Sequence, residues 1–313
     1  MVGRTNPVTS LDAQPTPVRR TRHGKGPVWD DGAGELLWVD PAAHEVRWGR
    51  VDPSGGVSDM AVRPVGEPVG AVTPTTSLGW LVAAGGGFRH LSPGGQVNVL
   101  LDLAGEGGGR TRMSAAACDR AGRIFAGTMG LQEQPGVGSL YRVDLDGTVS
   151  TALTGLTLSS GIAWSPDDDV LYLADSGTRT VTAFDYDVDL GTLGRPRVLL
   201  EFADGEPGTP DGLTVDRAGH LWIAVWGGGQ VRRYSSGRVL EDVVRVPTTQ
   251  TSGCTFAGPR LDTLVVSTSA EGLSVEERAA QPDAGRLFTA HVPDVLGRAA
   301  FPYRGPLRSL TQI

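Results

Sequence analysis

Short apolar runs alternate with glycine-rich and acidic turns along this chain, and they recur in one order: a glycine, an apolar run, an Asp or other turn residue, then a second aliphatic or aromatic run. The unit reads "GPVWDDGAGELLWVD" from Gly26, "GAVTPTTSLGWLVAA" from Gly70, "AAACDRAGRIFAGTM" from Ala115, "GIAWSPDDDVLYLAD" from Gly161, "GLTVDRAGHLWIAVW" from Gly212 and "GCTFAGPRLDTLVVST" from Gly253. Each unit is followed by a further strand pattern closed by a turn, such as "EVRWGRVDPSGG" or "SLYRVDLDG". Evenly spaced strands without intervening helices predict a meander in every unit. Six units at a period of about 45 residues predict an all-β fold, a six-bladed β-propeller. Two stacked sandwiches would leave the period and the recurring glycine unexplained. "LEDVVRV" and "LSVEERAAQ" read as helical turns, the second inserted within blade six. The runs Gly85 to Gly87, Gly107 to Gly109 and Gly227 to Gly229 open no helix after a strand, so they predict tight turns rather than phosphate cradles. The expected organisation is a flexible N-terminal tail over residues 1–20 and a single propeller over 21–313.

In a propeller the first strand of each blade lines the central channel, and its leading residue points to the axis. Asp211 directly precedes Gly212 and lies five residues before Asp216; the same count back from the matching turn residues gives Lys25, Val69, Ser114, Ser160 and Ser252. The predicted axial ring is therefore Lys, Val, Ser, Ser, Asp, Ser. His23 lies two residues from Lys25, so strand alternation sends both to one side. Trp226 is placed to reach the same mouth, whereas Trp29, Trp38, Trp80, Trp164 and Trp222 read as packing between blades. Asp119 and Asp216 read as turn acceptors. Lys25 and Asp211 allow two readings, a structural bridge plugging the channel or a ligand site. The cost of drying a charge pair favours the ligand site, since apolar packing would plug the channel more cheaply.

Composition narrows the partners. A net charge of -7 and no basic cluster longer than "VRR" leave no nucleic-acid footprint. No apolar leader opens the chain and no run of about eighteen apolar residues occurs, so a cytoplasmic protein without membrane partners is expected, as monomer or homodimer. Cys118 and Cys254 fall inside apolar strands and read as buried free thiols. For a metal, the ring offers one carboxylate, hydroxyls and an ammonium, a poor set for a hard divalent cation. His23, His44, His90, His220 and His291 show no zinc-ligand spacing. No cofactor is expected.

The segments "GKGPVWDD", "RMSAAACDRAGRIFAGTM", "GIAWSPDDDVLYLADS", "TPDGLTVDRAGHLWIAVWGGG" and "FAGPRLDTLVVSTSA" resemble, in order and from about residue 22 onward, those of the SMP-30/gluconolactonase/LRE-like proteins. The resemblance implies a six-bladed propeller and a lactone hydrolase or related esterase holding one divalent cation at the axis. It also implies metal ligands at a Glu before the first Gly-Pro, an Asn before the blade-four glycine and the Asp of "PDG", with Arg and Asn of an "RxND" segment facing substrate. Here the Asp is Asp211 and the Arg is Arg112. The Glu position holds Lys25, the blade-four Asn is Ser160, and "RxND" reads "RMSA", with Ser114 and Ala115.

The expected function is thus a small-molecule enzyme acting on a lactone, ester or related carbonyl compound, with Lys25 and Asp211 as the catalytic pair. Arg112, Ser114, Ser160, Ser252, His23, Val69 and Trp226 would form the substrate site, and Glu133 could lean over the channel. Lys25 would stabilise an oxyanion in place of a metal, and Asp211 would serve as base or acid. Alternatives are a metal-independent cyclase, isomerase or lyase, an architecture for which strictosidine synthase-like propellers offer a fold analogy, and a non-catalytic ligand-binding propeller. A Schiff-base role for Lys25 needs a depressed pKa; Asp211 raises it and burial lowers it, and sequence leaves that sign open.

Overall fold

Six antiparallel sheets stand around one axis in the computed structural model, which describes residues 8–103 and 109–312. Their first strands, Lys25–Asp30, Val69–Pro74, Thr111–Cys118, Ser159–Trp164, Thr209–Val215 and Thr251–Ala257, each pair with the next strand of the blade and face their two neighbours round the axis. Most residues of these strands are buried, and every one is in Val69–Pro74 and Thr251–Ala257, because one face meets the channel and the other the adjacent blade. The protein is a six-bladed β-propeller.

Its hydrophobic core is divided into wedges between blades. Leu37, Val39, Trp48, Val72 and Trp80 fill the wedge between blades one and two, and Phe125, Trp164, Leu171 and Tyr186 that between blades three and four. Trp29, Trp38, Trp80, Trp164 and Trp222 are all buried, as the spacing predicts. The recurring glycine has a steric cause. A Cβ on Gly212 would stand 2.7 Å from the Cα of Gly253, and one on Gly161 would stand 2.7 Å from the amide of Leu213, so neighbouring first strands meet backbone to backbone there.

Two elements differ from expectation. Leu240–Arg245, the "LEDVVRV" segment, is the fourth strand of blade five, pairing antiparallel with Gln230–Tyr234; Asp242 and Val244 are buried while their neighbours Val243 and Arg245 are not, the period of two of a strand. The "LSVEERAAQ" segment does form a helix, Val275–Ala280, opened by a Ser274 capping box with Glu277. The N-terminal tail is also not loose from Val8 onward. Thr9–Asp12 adds parallel to Leu240–Arg245, and Gln14–Pro15 pairs with Phe288–His291 as the fourth strand of blade six. Blade six has only three strands of its own, and an open edge of unpaired amides is a ready template for such a segment. Ala13 and Val18 are consequently buried. Residues 1–7 of that tail, and Gly107 and Gly108, lie outside the described residues. The glycine runs at 85–87 and 227–229 make tight turns.

After Phe288–His291 the chain crosses the far end of the axis. Gly297 bridges Asp216, Arg298 bonds the carbonyls of Trp164 and Ser165, Tyr303 bonds Pro74, and Thr311–Gln312 adds a strand to blade three. Among the described residues no helix is long and apolar enough to cross a membrane.

Candidate active site at the axial ring

The six ring positions fall where the register of the first strand against the second breaks, in every blade. In blades three to six the ring residue, Ser114, Ser160, Asp211 or Ser252, belongs to the bulge itself. A bulge lets a side chain leave the alternation of its strand and turn toward the axis. Lys25, Val69, Ser114, Ser160, Asp211 and Ser252 are all buried.

Lys25 reaches across the ring. Its Nζ donates to Ser114 Oγ at 2.9 Å, linking blade one to blade three past Val69. Asp211 is buried and, among the described residues, its Oδ1 has no hydrogen-bond partner. The two charges sense each other but form no direct ion pair among the described residues. Burial is the main influence on both: it lowers the Lys25 pKa, opposed by Asp211 and reinforced by Arg112. It raises that of Asp211, opposed first by Lys25 and then by His23. Each group is pushed toward its neutral form, which answers the sign left open by sequence.

The serines divide by role. Ser114 accepts from Lys25, whereas Ser252 donates to the carbonyl of Gly24 and pairs with Ser267 Oγ at 3.0 Å, so its hydroxyl ties blade six to blade one. Ser160 has the Leu158 carbonyl and Ser176 Oγ as alternative acceptors for its single proton, and Ser176 donates to the Pro210 carbonyl beside Asp211. Ser176 and Ser267 were not expected. Each closes the strand next to a ring residue, so their contribution follows only from pairing.

Above the ring, His23 stacks on Trp226, with centroids 5.4 Å apart and planes at 28°. Its Nδ1 lies 3.3 Å from Glu271 and 3.3 Å from Ser269 Oγ. Glu271, which sequence did not single out, is held below the usual carboxylate range chiefly by His23. Arg112 donates only a long bond, 3.4 Å, to the Met113 carbonyl and forms no ion pair among the described residues. Glu133 is exposed, has a positive φ of 54° and acts on Arg112 at a distance.

Below the ring a channel of about 160 Å³ runs down the axis. Lys25, Ser114 and Ser160 stand at its polar end, Val28, Val72, Ile162 and Leu213 line its apolar wall, and Arg298 to Phe301 close it. Cys118 and Cys254 lie in that wall as unbridged thiols, and burial pushes Cys254 up to about 12, far from a reactive thiolate.

The fold is a six-bladed propeller with charged groups converging at one mouth of its channel. The SMP-30/gluconolactonase/LRE-like model matches residues 23–270, and the chain belongs to that family. It is 32% identical to bovine (Bos taurus) regucalcin over 291 residues, covering 90% of this chain and 95% of that protein. A calcium-binding regucalcin from Agrobacterium tumefaciens superposes with a TM-score of 0.87 at 24% identity, over 96% of this chain and 100% of the other. A luciferin-regenerating enzyme superposes with a TM-score of 0.83 at 27% identity, over 91% and 96%.

The donors at the ring do not fit the divalent cation that such a family implies. Hard cations take six or more oxygens with carboxylates foremost. Here one carboxylate is offered, the Ser160 and Ser252 hydroxyls are engaged with protein carbonyls, and an ammonium hydrogen-bonded to Ser114 occupies the middle. Among the described residues no three His, Cys, Asp or Glu side chains gather as a metal site.

Proposed function

We propose that this protein hydrolyses a lactone or ester at the mouth of the ring, with the Lys25 ammonium in the electrostatic role of a metal. Family membership supports lactonase-type chemistry. One observation carries the metal-free form: Lys25 and Asp211 are both buried at the ring, yet neither neutralises the other by direct contact, and Asp211 Oδ1 is left free to accept a proton.

The steps follow from that placement. Ser114 fixes Lys25 Nζ, whose remaining N–H bonds point charge at the carbonyl oxygen and stabilise the oxyanion as it forms. Asp211 takes a proton from the attacking water and returns it to the leaving alkoxide. A carboxyl raised by burial suits both halves of that task. Arg112 holds an anionic or hydroxylated arm of the substrate, His23 and Trp226 give it a flat wall, and the apolar channel receives its carbon skeleton.

The test is hydrolysis of a panel of five- and six-membered lactones and aryl esters by protein treated with a chelator and then freed of it. Turnover that persists after chelation and disappears in Asp211→Asn supports the reading. Turnover restored only by a divalent cation overturns the metal-free form, and ligand binding without turnover makes the propeller a binding protein.

A further inference from the structure

Lys25 is the only lysine in the chain; the other 27 basic Lys/Arg residues are arginines. Arginines fill the ion pairs of the blades, as in Arg47 with Glu45, Arg123 with Asp119 and Arg233 with Asp242. The single amine is placed on the axis, buried, in the wall of the channel. A guanidinium stays protonated and does not act as a nucleophile, whereas a desolvated amine can. Holding a charge at the ring does not by itself call for a lysine.

We propose that Lys25 also condenses with a small aldehyde or ketone bearing a carboxylate, a 2-oxo acid in class, to form an imine at the ring. Three features of the site fit that chemistry. Among the described residues Lys25 Nζ makes one hydrogen bond, donated to a hydroxyl, so no carboxylate in direct contact holds it protonated. Asp211 stands close enough to act on it electrostatically and has an unpartnered oxygen. Arg112 has no ion pair among the described residues and offers a guanidinium to the substrate carboxylate.

The step balances. The amine lone pair adds to the carbonyl carbon, and one N–H proton passes to the carbonyl oxygen, giving a carbinolamine. Protonated Asp211 gives its proton to that hydroxyl, which leaves as water while the nitrogen lone pair closes the C=N bond. An iminium then faces the Asp211 carboxylate. Hydrolysis uses the pair as ammonium and carboxylate, and condensation uses it as amine and carboxylic acid. The two differ only in which partner holds the proton.

The experiment is borohydride trapping of the full chain, made without added lysine, using pyruvate as the probe and acetaldehyde as the neutral comparison. Intact mass and peptide mapping then locate the reduced adduct. Only Lys25 and the N-terminal amine can react, so the assignment is direct. The expected result is one adduct on the Lys25 peptide, formed faster with pyruvate than with acetaldehyde. It should be absent in Lys25→Arg and slowed on the order of 100-fold in Asp211→Asn. Labelling of the N-terminus with Lys25 untouched overturns the proposal, and this is read on the wild-type chain whether or not a variant folds. Equal labelling by the two probes overturns the 2-oxo acid assignment. The trap reads a covalent bond rather than lactone turnover, so it fails or succeeds independently of the hydrolase reading.

Discussion

Lys25 Nζ and Ser114 Oγ are 2.9 Å apart, joined across the axis from blade one to blade three. Through this bond an ammonium holds the centre of a ring where the family pattern has a carboxylate. The amine is aimed by a partner that brings no compensating charge, so Lys25 stays electrostatically available to a substrate.

Asp211→Asn should abolish proton transfer while leaving the pocket in place. Lactone hydrolysis is expected to fall on the order of 100-fold or more in kcat. Ligand affinity, measured by calorimetry with a non-hydrolysable cyclic ether, should stay within a few-fold. A matched loss in both would mean that Asp211 positions substrate rather than moving protons.

Returning oxygen donors to the ring should create a metal site. Lys25→Glu with Ser160→Asn is expected to bind calcium or a similar divalent cation and to gain thermal stability with ion concentration, by about 2.7 kcal/mol at a hundredfold excess over Kd. The wild-type melting temperature should not respond to the same ions. A wild-type response of equal size would show that Lys25 does not displace the metal.

The pH profile of kcat/KM should be a narrowed bell. Asp211 must be ionised to act as base and its pKa is raised by burial, so the acidic limb should lie above its ordinary 3.8. Lys25 must be protonated to stabilise the oxyanion and its pKa is lowered by burial, so the alkaline limb should lie below its ordinary 10.5. Limbs at the ordinary values would mean that both groups are solvated during turnover.

The same shifts set a stability trade. Asp211, raised in the folded state, contributes stability below pH 3.8 that is lost as pH rises through its folded value. Lys25, lowered, contributes stability above pH 10.5 that is lost as pH falls through its folded value. Between the two, buried charges burden the fold, and replacing both by apolar residues of similar volume, Lys25→Met with Asp211→Leu, should stabilise it near neutrality. The gain should shrink toward both pH extremes, as melting temperatures across pH would show.

Removing residues 1–18 should weaken the propeller, since it strips the fourth strand from blade six and takes away buried Ala13, Thr16 and Val18. A cost of about 2–5 kcal/mol is expected from lost apolar burial and backbone hydrogen bonds. Unchanged denaturant midpoints for the truncated and full chains would show that the paired segment adds nothing.

The sequence by itself determined the fold and the identity of the ring, because a repeat of about 45 residues and a glycine wherever first strands meet leave local marks in every blade. Counting five residues back from the turn found Lys25, Ser114, Ser160, Asp211 and Ser252 together at the axis. What only the tertiary structure decided depends on distances between residues far apart in the chain. The N-terminal strands carry no strong pattern because Thr9–Asp12 and Gln14–Pro15 take their order from edges made more than two hundred residues later. Glu271 became part of the mouth only when blade six met His23 across the ring closure. The direction in which Lys25 and Asp211 shift is set by how much water the finished channel excludes relative to how closely the two approach. That balance of desolvation against Coulomb attraction does not exist until the six blades close.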